Sequence, residues 1–164
     1  MAGRQPLDDI TVLELASYIS GPYAGKLMAD LGARVIKIED PHEPDISRSI
    51  GPFLNDIPDP EKSAFFAGIN ANKFSLTLNL RNQSGTTILD ELIRNTPVLI
   101  EDCASRYGIT YDALKEINPG LIMASVSGFG KDGPYKDYQS SDLIAMGMSG
   151  MQYQTGETFR PPTR

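Results

Sequence analysis

Lys37, Arg48, Lys73 and Arg106 are basic residues that could converge on an anionic ligand, even though the chain is acidic overall, with a net charge of −6. The plain alternative is solvated surface charge, where most Lys and Arg lie. Gly128-x-Gly130-x-x-Gly133 has the spacing of a phosphate-cradling glycine loop. That motif must open a helix whose N-terminus takes the phosphates. Pro134-Tyr135-Lys136-Asp137 follows instead and predicts a turn, so the dinucleotide reading is rejected. A metal centre needs about four clustered N, S or O ligands. The one histidine, His42, lies in a proline-rich stretch and is expected to be solvent-exposed, and Cys103 is the one cysteine. A Ser-His-Asp triad fails too, since no serine sits on a G-x-S-x-G elbow. Asp142 follows Ser140-Ser141 and starts an apolar helical run. A carboxylate there suits the helix dipole, so capping by Ser141 or Asp142 stands beside a role in framing an active site.

These residues need elements to position them. Ile10 to Leu15 reads as a buried strand, and Gly21-Pro22 opens a helix that stops at Gly32. Proline is tolerated in a first helical turn and glycine suits a helix end. Arg34 to Glu39 is the next strand, completing a strand–helix–strand unit of the parallel-sheet kind. Asp40 to Lys62 carries five prolines and many acids and reads as an ordered surface loop. Further strands are expected at Ser75–Leu80, Val98–Glu101 and Leu121–Val126. Helices are expected at Gln83–Asn95, with Ile88, Leu89, Leu92 and Ile93 on one face, at Tyr111–Ile117 and at Ser141–Met151. The alternation predicts an α/β fold, a Rossmann-like, doubly wound, mostly parallel sheet. Ligands on such sheets bind beyond the carboxyl ends of the strands. The rim is therefore built by the loops after Leu15, Glu39, Glu101 and Val126.

The chain's 164 residues suffice for one domain with a core, and 40% hydrophobic with 22% charged residues is ordinary for a soluble globular protein. The acidic balance argues against nucleic acid. No apolar run is long enough to span a membrane. Met1 to Asp9 has no apolar core of a secretory signal, and a single cysteine fits a reducing compartment.

Several segments resemble the class III coenzyme A transferases, the family that also holds the α-methylacyl-CoA racemases. They are Pro6 to Glu39, Asp45-Ile46-Ser47-Arg48 with Gly51-Pro52, Asn70 to Leu76, Val98 to Glu101, Asn118 to Ile122, and Ser127 to Tyr135. The resemblance implies that residues 1–164 are the N-terminal part of the large, CoA-binding domain, with the second domain and the C-terminal part outside this chain. It implies a reaction that moves CoA between an acyl-CoA and a carboxylic acid. An aspartate attacks the thioester, forming an enzyme-bound anhydride and then an enzyme–CoA thioester. It implies no permanently bound cofactor, CoA and acyl-CoA as substrate, and an interlocked homodimer of the full-length form. The expected compartment is the cytoplasm, with mitochondrion or peroxisome as alternatives. CoA contacts carry over onto Tyr18, Ile19 and Ser20, the strand end at Asp40, Asn72 and Lys73, the loop Asp102-Cys103, and Arg106. Ser20 and Asp142 are expected near the active site.

The chain departs from the family in places. Asp102-Cys103 stands where Asn-Phe is usual, in a shorter loop, and Asp40 stands where a basic residue often lies. An acidic group beside CoA phosphates is unhelpful at both positions. Racemases carry a histidine before the aspartate matching Asp142, whereas this chain has Ser141, which favours a transferase over a racemase. The nucleophilic aspartate follows a Pro-Pro-x-Arg stretch in the family. It is thus expected beyond Pro161-Pro162-Thr163-Arg164, leaving the isolated chain inactive or a non-catalytic CoA-binding fragment.

Overall fold

The computed structural model describes residues 4–156 and 159–160, which form two compact units divided after Val126. The Pro161–Arg164 stretch lies outside the described residues.

In the first unit, β1 (Thr11–Leu15), β2 (Arg34–Glu39), β3 (Phe74–Thr77), β4 (Val98–Glu101) and β5 (Ile122–Ser125) make one sheet in the order β3-β2-β1-β4-β5. Every neighbouring pair is parallel, so the α/β, Rossmann-like expectation stands. The crossovers carry α1 (Ser20–Asp30), α2 (Ala64–Asn70), α3 (Gln83–Arg94) and α4 (Tyr111–Ile117). The strand order reverses between β1 and β4. That is the topological switch point, where such sheets open a crevice for ligand.

Alternation along β1 divides the core in two. Leu13 and Leu15 join Ile38, Leu89, Ile93, Leu99 and Leu114 on one face. Val12 faces the other way, with Ala29, Val35 and Ile100. Glu14 and Lys37 fall on the Val12 and Val35 side, one residue pair further along. Gly32 ends α1 with φ 103°, a left-handed value that glycine adopts freely.

Several boundaries differ from expectation. Pairing in β3 ends at Thr77, and Leu78 and Leu80 continue beyond it into the core. Ile88 is 47% exposed, because it sits about 100° around the helix from buried Leu89. The 40–62 excursion is ordered by two 3-10 turns, at Ile46–Ser49 and Leu54–Asp56. Helix α2, which the periodicity did not single out, follows directly. Its Ser63 side chain accepts the Phe66 N–H at 3.0 Å and so caps the first turn.

The second unit holds a glycine-rich turn and two short helices. Gly130 and Gly133 have positive φ, and Phe129, Tyr135 and Tyr138 cluster with ring centroids 5.2–6.3 Å apart. The chain turns after Gly133 rather than opening a helix, as Pro134 predicts. The single helix expected over 141–151 is two, α5 (Asp142–Met148) and α6 (Met151–Gln154), broken at Gly150, whose φ is 79°. Ser141 caps α5 by accepting the Ile144 N–H at 3.3 Å. Asp142 lies in the first turn, so the capping serine is Ser141.

Candidate functional site at the switch point

At the switch point the exits of β1 and β4 are clasped together. The Asp102 N–H donates to the Leu15 carbonyl at 3.2 Å, which continues the parallel register beyond the strands. In return, Asp102 Oδ2 accepts the Ser17 N–H at 2.8 Å. This acid, unhelpful beside a phosphate, is therefore turned inward, onto the β1 loop. Burial pushes its carboxyl above the ordinary aspartate value, against the Ser17 hydrogen bond. Cys103 contacts the Leu15 carbonyl through its sulfur, and burial followed by the neighbouring Asp102 pushes its thiol up to about 12. It is not a thiolate at neutral pH.

Tyr18 and Ile19 lie exposed on the rim, 50% and 39%, and Ser20 beside them is exposed too. Helix α1 begins here with no side-chain cap and no acid in its first turn. Its leading amides and dipole favour an anion.

Beneath this rim is a layer of buried charge. Glu14 and Lys37 are direct cross-strand partners, with Lys37 Nζ 3.1 Å from Glu14 Oε1. The other Glu14 oxygen lies 2.8 Å from Lys73 Nζ. Lys37 also donates to the Ala16 carbonyl at 2.8 Å and pairs with Asp45 at 2.7 Å. Lys73 donates to the Pro22 carbonyl at 2.6 Å and to Asn70 Oδ1 at 2.7 Å. With Glu14 as its third partner, all three ammonium protons are engaged. Burial pulls its pKa below the ordinary lysine value, opposed by the Glu14 charge. Asn72, in a left-handed conformation, donates its side-chain amide to Asp30 at 2.7 Å.

The remaining basic candidates divide. Arg48 grips Glu39 with two bonds, at 2.9 and 2.8 Å, reaches Glu61 at 3.0 Å, and stacks over Phe66. Arg106 lies exposed in the 3-10 turn Ala104–Tyr107 after β4 and makes no ion pair among the described residues. Asp40, at the β2 end, accepts from the His42 N–H, Arg81 and the Tyr107 hydroxyl. Burial raises its carboxyl, but these three donors outweigh it and hold it below the ordinary value. His42 itself is exposed, as expected. No group of His, Cys, Asp and Glu suited to a metal occurs among the described residues. No described helix is long and apolar enough to cross a membrane.

A sequence signal for the buried layer existed. Thr11-Val-Leu-Glu14 and Arg34-Val-Ile-Lys37 each place a charge fourth in an apolar strand. Parallel register sets those charges side by side.

Comparisons with known proteins agree with this fold. Residues 7–164 match CoA-transferase family III. The chain is 38% identical, over 98% of its length, to the succinate–glutarate CoA-transferase of Agrobacterium fabrum. It is 39% identical over 98% to the acetyl-CoA:oxalate CoA-transferase of Acetobacter aceti. It spans 42% and 41% of the lengths of those two relatives. Among solved structures, a CAIB/BAIF family protein from Brucella suis superposes with a TM-score of 0.87 at 36% identity, covering 99% of this chain and 44% of that one.

Proposed function

The chain belongs to CoA-transferase family III, and from that premise we propose that the whole protein transfers CoA between an acyl-CoA and a carboxylic acid. The observation that carries this reading is the extent of the match. Residues 7–164 take in the complete switch-point rim, the place where a parallel sheet of this order receives its ligand.

In this reading CoA lies across the β1 and β4 exits. Tyr18, Ile19 and Ser20 present the uncapped start of α1 to a phosphate, and Arg106 supplies an exposed positive charge from the β4 side. Asn72 and Lys73 serve through the segment they anchor, since Lys73 is fully engaged by Glu14, Pro22 and Asn70. Asp40 and Asp102 are turned onto protein donors and do not confront the phosphates.

In this reading the reacting carboxylate is an aspartate supplied by the whole protein. It attacks the thioester carbonyl and releases CoA thiolate, leaving a mixed anhydride. The thiolate then attacks the aspartyl carbonyl, freeing the first acid and leaving an enzyme–CoA thioester. The acceptor carboxylate repeats the exchange in reverse. Asp142 is a neighbour of this centre rather than the attacker. The full-length form is a homodimer.

Both relatives' names include a small dicarboxylic acid, succinate and glutarate in one and oxalate in the other. A small dicarboxylate is accordingly the acceptor class to test first. A racemase is disfavoured by Ser141, which cannot serve as a general base near neutral pH unaided.

The test incubates the full-length protein with succinyl-CoA and glutarate or oxalate, and follows CoA esters by chromatography. A new CoA ester, with a protein thioester trapped by hydroxylamine, is expected. Epimerisation of a 2-methylacyl-CoA without transfer would replace this reading with a racemase. CoA binding without either reaction would make the protein a binding module.

A further inference from the structure

The β1-exit loop passes through a conformation that its residue type disfavours. Tyr18 has φ 69°, in the left-handed region where a Cβ crowds the following carbonyl. Such a conformation persists when the surroundings over-determine it. Here the surroundings converge on one carboxylate. Asp45 Oδ1 accepts the Tyr18 N–H at 3.0 Å and the Ser17 hydroxyl at 3.1 Å. It also accepts the Ser47 N–H at 2.8 Å and the Ser47 hydroxyl at 2.7 Å. Its second oxygen pairs with Lys37 at 2.7 Å, and the side chain is 1% exposed. Asp45 is itself placed from behind, because its N–H donates to Glu39, the acid that Arg48 grips. Burial pushes the Asp45 carboxyl up, but the Lys37 charge and these donors bring it down to about 2, so it is ionised at neutral pH.

We infer that Asp45 is a positioning residue for the CoA site: it holds Tyr18 in the left-handed conformation and so presents Tyr18, Ile19 and Ser20 to the ligand. The inference rests on the proposed reading that CoA binds this rim. Asp45 does not touch the ligand. It acts through the loop, linking the loop to the buried Glu14–Lys37 pair of the sheet. A loop that is only partly in its competent state binds more weakly in proportion to that fraction.

Glycine adopts the left-handed region without penalty. Tyr18→Gly therefore removes the need for Asp45, whereas a merely structural role for Asp45 would persist in that background. The experiment titrates coenzyme A calorimetrically into the full-length protein as wild type, Asp45→Asn, Tyr18→Gly and the double variant, with circular dichroism confirming the fold. Asp45→Asn should weaken CoA about tenfold in the wild-type background and no more than about twofold in the Tyr18→Gly background. Equal affinity of wild type and Asp45→Asn, or the same loss in both backgrounds, overturns the positioning role. A wild-type protein that binds no CoA refutes instead the proposed function on which the inference stands. Should Asp45→Asn fail to fold, Ser17→Ala removes one loop contact to Oδ1 and leaves the Lys37 pair in place. It should weaken CoA several-fold, and unchanged binding overturns the role of Asp45.

Discussion

Gly25 and Gly68 are both helical glycines, yet alanine should act with opposite sign at the two. In α1, a Cβ added at Gly25 overlaps Glu14 Oε2 and lies 3.2 Å from Glu14 Cδ. Glu14 has no room to retreat. It is 0% exposed and held between Lys37 at 3.1 Å and Lys73 at 2.8 Å. Alanine gains about 1 kcal/mol of helix propensity. Forcing the carboxylate off Lys73 resembles breaking a buried ion pair, which costs about 3–5 kcal/mol. The net expectation for Gly25→Ala is a loss of about 2–4 kcal/mol, or roughly 5–15 °C in Tm for a chain of this size. At Gly68 in α2 no atom lies within 4 Å of the added Cβ apart from the adjoining residues and the helix's own backbone. Gly68→Ala should gain about 0.5–1 kcal/mol, raising Tm by about 1–4 °C. Thermal unfolding of the chain at pH 7, followed by circular dichroism, reads both. A Gly25→Ala protein as stable as wild type would refute the argument, because it would show that the Glu14 carboxylate swings aside freely.

Three further outcomes are expected. Arg48→Lys keeps the charge but loses the two-point grip on Glu39 and the stack on Phe66, so urea unfolding should show a stability lower by about 2 kcal/mol. Asp45 is lowered from 3.8 to about 2 on folding, so its contribution is complete above about pH 4 and is lost as pH falls through about 2. The difference between wild type and Asp45→Asn should shrink by about 2 kcal/mol across that window, and a constant difference would contradict the assignment. Asp102 is shifted the other way: its ionised form is disfavoured in the fold, a penalty absent below its unfolded pKa and complete above its folded one. Asp102→Asn retains an acceptor for the Ser17 N–H and should raise Tm at pH 7 but not at pH 3, which a pair of melting curves decides.

The sheet was legible because β1, β2 and β4 are short apolar runs separated by helical segments with glycine and proline at the junctions. Their carboxyl ends locate the rim without any side-chain detail. What the sequence concealed was where the charges point. Lys37 and Lys73 count equally with Arg106 as basic residues near that rim, and only the fold distinguishes them. Lys37 alternates inward on β2 to meet Glu14, and Lys73 reaches the same carboxylate from the approach to β3. Asp40 and Asp102 misled in the opposite sense. Their acidity looked incompatible with an anionic ligand, yet both are satisfied by donors distant in sequence, Tyr107 and Arg81 for one and Ser17 for the other. Helix α2 was hidden because Ala64–Asn70 buries no residue fully and so carries no distinct apolar face opposite a polar one.

The buried charges bear on why the rim has a defined shape. A buried ion pair is weak evidence for stability, since apolar side chains of similar volume often serve as well. What an apolar pair could not supply at Glu14 and Lys37 is direction. Lys37 donates to Ala16, the residue at which β1 gives way to its loop, and pairs with Asp45, which holds the next two residues of that loop. Asp102 holds the same Ser17 from the β4 side. Ser17 is thereby tied to both halves of the switch point, by its amide to one and its hydroxyl to the other. Each of these bonds has one buried or half-buried charged partner, and each would cost that charge one of its hydrogen-bond partners if the loop moved. The loop is therefore held by the cost of leaving, rather than by the modest strength of any one hydrogen bond. That suits a rim whose ligand-facing residues, Tyr18 to Ser20, have no core of their own to order them.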